Sequence, residues 1–185
     1  MKKTTFILLA SFILFSCKNN NNAPNVSNIN VDIKLERFDR DFFAIDTNNI
    51  LPGLNQLNAK YPVATPIFLQ FVLGVDSANM IYGVKNFLSL SNGLYDTVNT
   101  VFKTTDGLEK DFKKAFQYVK YYFPKYQVPK IVTIAGPVDA LAQSDSGPTP
   151  DFLRPGLLGI SLQFYLGKDF SVYNDPFFIE SVAPS

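Results

Sequence analysis

The 185-residue sequence contains no histidine and no tryptophan, a single cysteine, Cys17, and two methionines. Without histidine, a Ser-His-Asp or Cys-His nucleophile cannot be assembled, and neither can a His-rich zinc site. One cysteine excludes an intramolecular disulfide and leaves an intermolecular bridge, a free thiol or a modified residue. An excess of positive charge is also missing, with 17 Lys and Arg against 16 Asp and Glu. If Lys2 and Lys3 are removed with a leader, 15 basic residues face 16 acidic ones, a net of −1. Phosphate binding rests on concentrated positive charge, so nucleic acid is not an expected partner. No residue pattern calls for a metal or cofactor, and none is expected. The chain also lacks a run able to span a bilayer, since its longest apolar stretch, residues 6–15, is ten residues where about 20 are needed.

That stretch has another use. Met1-Lys2-Lys3 is a short basic opening, and Phe6-Ile-Leu-Leu-Ala-Ser-Phe-Ile-Leu-Phe15 has the length of a signal-peptide apolar segment. It ends Leu14-Phe15-Ser16-Cys17, similar to the lipobox cut by lipoprotein signal peptidase. Residues 1–16 are therefore expected to be a signal peptide, and Cys17 the lipid-attachment site. Acyl chains contribute about 0.8 kcal/mol per buried CH₂, so two or three of them hold a protein stably. Residues 17–30 then read as the lipidated cysteine followed by a flexible Asn-rich tether. No acidic residue closely follows Cys17, which points toward the periplasm rather than the cell exterior.

Residues 31–185 hold enough apolar material for one core, with 46% hydrophobic residues and 15% aromatics. Asp46 or Thr47 can cap a helix with Ile50, Leu51, Leu54 and Leu57 on one face, ending before Tyr61-Pro62. Further helices are expected over 66–73, stopped by Gly74, and over 80–90. The clearest starts near Thr105 or Asp106, with Leu108, Phe112, Phe116, Val119 and Phe123 as its apolar stripe and Pro124 as its stop. Residues 128–134 read as a strand, 137–156 as a long loop, and 157–166 as a second strand. A turn and a short helix follow over 167–175. Helices first and strands later predict an α+β fold, mostly helical before a small sheet. Phe177, Phe178, Ile179 and Val182 have little after them to cover them, which predicts a docked tail or a C-terminally incomplete chain.

Four groups of residues invite a functional reading. Glu36, Asp39, Asp41 and Asp46 could hold a cation or act as paired acid and base. Arg37 and Arg40 interleave with them, so ion pairing is the plainer expectation. Asp145 and Asp151, in Ser144-Asp-Ser-Gly-Pro-Thr-Pro-Asp151, lack the spacing of a calcium loop and read as a solvated loop. Tyr118, Tyr121, Tyr122 and Tyr126 could stack on sugar or peptide, but tyrosines also edge a core with the hydroxyl in water. Lys110, Lys113, Lys114, Lys120 and Lys125 read as a solvated helix face. No catalytic residue is expected.

Three blocks carry a resemblance. Ile33-Lys-Leu-Glu-Arg-Phe-Asp-Arg-Asp-Phe-Phe-Ala-Ile-Asp46 resembles the opening of the mature gliding motility lipoprotein B (GldB) family of Bacteroidetes. Phe116-Gln-Tyr-Val-Lys-Tyr-Tyr-Phe-Pro-Lys-Tyr-Gln-Val-Pro-Lys130 and Leu158-Gly-Ile-Ser-Leu-Gln-Phe-Tyr-Leu-Gly-Lys-Asp-Phe170 are similar to later blocks in the same order. The resemblance implies an N-terminal portion of a family related in fold to zincin-type metallopeptidases, whose His-Glu-x-x-His helix would fall beyond residue 185. It also implies a non-enzymatic component of the gliding or associated secretion machinery. Its partners would be other proteins of that envelope machine, and the membrane through acyl chains on Cys17. The expected location is the outer membrane, facing the periplasm. A truncated peptidase relative and a glycan- or peptide-binding lipoprotein are the alternatives.

Overall fold

The computed structural model describes residues 23–140, 142–144 and 147–176. Cys17, the expected signal peptide, Asp145 and the apolar stretch from Phe177 lie outside the described residues.

A mixed sheet divides the domain. Its order is β1 (Leu35–Glu36), β2 (Lys130–Ile134), β6 (Leu157–Ser161), β5 (Phe152–Arg154). β1, β2 and β6 run parallel and β5 antiparallel. The remaining two strands, β3 (Ala142–Ser144) and β4 (Gly147–Thr149), form a separate antiparallel hairpin. Between β1 and β2 the chain passes through α1 (Phe38–Phe43), α2 (Ile50–Lys60), α3 (Ala64–Ile67), α4 (Met80–Leu90), α5 (Asn92–Val101) and α6 (Asp106–Tyr122). The fold is α+β, as the sequence predicts.

Parallel strands are stable when both faces are covered, and β2 is buried from Ile131 to Ile134. The period of two sends Val132 and Ile134 to one face, where Phe38, Phe42, Leu54, Phe68, Val84 and Leu88 pack. Ile131 and Ala135 meet Val98, Phe116 and Leu162 on the other. The first core is aromatic at its centre. Phe68 meets Phe38 and Phe42 edge-on at centroid distances of 5.1 and 4.8 Å, each such pair adding about 0.5–1.5 kcal/mol beyond burial.

The helices at 50–60 and 80–90 form where the periodicity places them. Two reciprocal bonds start α4, because Asp76 Oδ1 accepts the Asn79 amide at 3.0 Å while Asn79 Oδ1 accepts the Asp76 amide at 2.9 Å. The helix expected over 66–73 begins earlier, at Ala64, and becomes a π-turn over Phe68–Val72. The extra residue buries Phe68 and Leu69 while Phe71 projects into solvent. Gly74 ends it with φ +62°, a left-handed conformation that suits glycine.

Several expectations need correction. Leu51 is exposed, so α2 packs through Ile50, Leu54 and Leu57 only. Phe123 is off the α6 stripe and 66% exposed. The residue before a proline is pushed out of helical geometry, and Phe123 sits at φ −129°, ψ 76° before Pro124. The second strand stops at Ser161 and continues as a 3₁₀ turn over Leu162–Phe164. The expected long loop carries β3, β4 and β5, and α1, α5 and β1 were not foreseen. Packing starts before residue 31, for Val26 is buried and the Gln117 side-chain amide donates to the Ile29 carbonyl at 2.9 Å.

Candidate functional site

The charged run at 36–41 lies where β1 turns into α1, beside β2. Asp39 is 1% exposed. Arg37 binds it through two donors, Nε to Oδ1 at 2.9 Å and Nη2 to Oδ2 at 2.6 Å, and the Thr133 hydroxyl donates to Oδ1 at 2.5 Å. A carboxylate taken out of water requires this many partners. Arg37 also donates through Nη1 to the Phe102 carbonyl at 2.7 Å. Burial pulls the guanidinium pKa down, but the Asp39 carboxylate outweighs it and holds Arg37 above its ordinary value. Arg40 reaches the same connection, donating to Asn99 Oδ1 at 3.2 Å and to the Lys103 carbonyl at 3.0 Å.

Asp41 faces the other way. Its Oδ2 accepts from Lys60 Nζ at 2.5 Å and from the Tyr61 hydroxyl at 2.6 Å. Burial alone would raise this carboxyl, but the two donors overcome it and hold it below the usual range. Burial and the Asp41 bond push the Tyr61 hydroxyl up to about 12. The block is therefore a clamp. It ties α1 to β2 through Thr133, to the α5–α6 connection through Phe102 and Lys103, and to the end of α2 through Lys60 and Tyr61. The expected local ion pairing holds for Arg37 with Asp39, whereas Asp41 pairs with Lys60, nineteen residues on, and Arg40 turns to Asn99 and Lys103 instead. Asp46 is separate; it is exposed, and its carboxylate accepts the local Asn48 amide at 2.9 Å. Among the described residues no group of three or more Cys, Asp or Glu is arranged to hold a metal ion.

Asp151 corrects the reading of a solvated loop. Its Oδ1 accepts the Ser161 amide at 2.8 Å, and Oδ2 accepts the Tyr165 hydroxyl at 2.6 Å. Burial raises its pKa and the two donors lower it, with burial prevailing. Its work is to hold the end of β6 against the loop.

The four tyrosines separate. Tyr118 is half-buried on α6, whereas Tyr121 and Tyr122 project from its last turn, in edge contact at 5.0 Å. Tyr126 stacks on Phe116 at 6.2 Å. Lys110, Lys113, Lys114 and Lys125 are solvated as expected, while Lys120 is partly covered.

A groove of about 1090 Å³ opens between α4, the loop after β2 and the last 3₁₀ turn (Ser171–Asn174). Phe87, Leu90, Val138 and Val172 form much of its wall. Leu90, exposed and off the buried face of α4, was the one legible signal.

The family model of gliding motility protein GldB matches residues 19–182. The chain belongs to the GldB family. Its match covers the clamp, the tyrosine-rich turn and the whole described domain. No curated protein and no solved structure matches the chain. Membership associates this GldB-family chain with gliding motility and with membrane-anchored lipoproteins of the cell envelope.

Proposed function

We propose that the chain is a non-enzymatic lipoprotein of the gliding or associated secretion machinery, anchored by acyl chains on Cys17 in the outer membrane and facing the periplasm. Residues 1–16 act as its signal peptide. A short Asn-rich tether follows Cys17, and the rest is a partner-binding α+β domain. The family match over residues 19–182 carries this reading. The clamp supports the non-enzymatic role, because Asp39 and Asp41 are committed to cross-links that hold the fold. No helix among the described residues is long and apolar enough to cross a membrane; in this reading the acyl chains on Cys17 supply the anchor.

The test is Cys17→Ala. Wild type should partition into the detergent phase and incorporate palmitate, and the variant should do neither. Fractions are washed at high pH and the processed mass checked, so that an uncleaved leader is not mistaken for an anchor. A correctly processed variant still on the membrane would refute the lipid anchor. Deleting the gene should impair surface spreading or secretion, and wild-type behaviour in both would refute the machinery role.

A further inference from the structure

The last turn of α6 and the residues after it, 121–127, read Tyr-Tyr-Phe-Pro-Lys-Tyr-Gln and are all exposed. Phe123 and Tyr122 are 66% and 61% accessible. Lys125 is exposed beside them, with Lys120 on the preceding turn and Lys130 at the start of β2. Tyrosine mixed with phenylalanine and lysine suits a membrane–water interface, where the rings lie at headgroup level and the polar tips reach water.

The path of the N-terminal segment puts this cluster near the bilayer. Ile29 is held against α6 by its bond from Gln117, which lies one helical turn, about 6 Å, before Tyr121. Ile29 and Ile33 pack in the same core as Phe112, Val119 and Val128. Only eight residues separate Cys17 from Val26, the first buried residue, and the nine steps between them reach about 30 Å fully extended. A domain of this size has a radius of gyration of about 15 Å, so the tether is no longer than the domain is wide. The face through which the tether joins the fold therefore stays turned toward the membrane.

We infer that residues 121–127 rest in the headgroup layer of the anchoring bilayer, with Tyr122 and Phe123 inserted and Lys125 among the lipid phosphates. This turns the groove away from the membrane, since residues 121–127 lead into the start of β2 at Lys130 whereas Pro137 and Val138 of the groove follow its other end. The inference rests on Cys17 as the point of attachment, and the test below supplies that attachment chemically.

The absence of tryptophan and of a second cysteine makes the test direct. The processed chain beginning at Cys17, unacylated, is coupled through that thiol to phosphatidylcholine vesicles carrying a minor fraction of maleimide-headgroup lipid. Tyr122→Trp provides one reporter, and Tyr82→Trp, on exposed α4, provides the other. With brominated phosphatidylcholine, Tyr122→Trp emission should fall by about half and shift to the blue, whereas Tyr82→Trp should be unaffected. Adding Phe123→Asp to the Tyr122→Trp chain should restore the emission while circular dichroism stays unchanged. Equal lack of quenching at both positions would overturn the inference and leave the cluster to a protein partner. Quenching at Tyr82→Trp alone would overturn it in favour of the opposite orientation. Palmitate labelling of the native chain tests the anchor separately, so failure of one reading is distinct from failure of the other.

Discussion

Replacing Arg37 with Met would leave the Asp39 carboxylate buried with no cation beside it. Arg37 supplies Asp39 with two donors, at 2.9 and 2.6 Å, and supplies the Phe102 carbonyl with a third at 2.7 Å. After the substitution Asp39 retains, among the described residues, the Thr133 hydroxyl. Removing one partner of a buried pair typically costs about 3–5 kcal/mol, because the remaining charge can reach neither water nor a counter-ion. With a urea dependence of about 2 kcal/mol per molar for a domain this size, the unfolding midpoint should fall by roughly 2 M. The double variant Arg37→Met/Asp39→Leu removes the charge as well and should recover to within about 1 kcal/mol of wild type. Thr133 then keeps the Glu36 carbonyl, 3.5 Å away, as its acceptor. Urea titration followed by circular dichroism on wild type, Arg37→Met, Asp39→Leu and the double variant gives the coupling energy. If Arg37→Met alone stayed within about 1 kcal/mol of wild type, or the double variant were weaker than both singles, the clamp would not be what closes this part of the core.

The remaining predictions concern packing and pH. A methyl at Gly159 would overlap the Phe152 ring, so Gly159→Ala should lower stability by about 1–3 kcal/mol. Gly159→Ala/Phe152→Leu should regain part of that loss in thermal unfolding, and a harmless single variant would contradict the strand register. Asp151 is raised, so the folded state holds its proton more tightly than the unfolded chain. Its contribution therefore falls as pH rises from the ordinary carboxylate value of about 3.9 through the raised one. Urea midpoints of wild type should thus gain on those of Asp151→Asn as pH is lowered from about 6 to about 4; an unchanged difference would mean that burial does not raise this carboxyl. Asp41 has the opposite sign, contributing stability above the ordinary value that is lost as pH falls through its depressed one. It is partly exposed, so Asp41→Asn should cost no more than about 1 kcal/mol at neutral pH and progressively less in acid.

Much of this protein follows from local chemistry, and that part was legible. α4 could be placed at 80–90 because its apolar spacing is a property of neighbouring residues. Leu108, Phe112, Phe116 and Val119 likewise marked the inner face of α6 through period alone. By contrast, β1 is two residues long and exists because β2, nearly a hundred residues later, offers a pairing edge. No local propensity marks such a strand. α1 was hidden for a related reason. Its charged residues read as a local ion-pair cluster, and only Thr133, Phe102, Lys60 and Tyr61, all remote in sequence, turn them into a clamp with Asp39 buried at its centre. Asp151 became structural in the same way, through an amide ten residues on and a hydroxyl fourteen on. Period and capping report which face of an element is apolar, whereas the partner of a buried charge is chosen by tertiary proximity, because only there is water excluded.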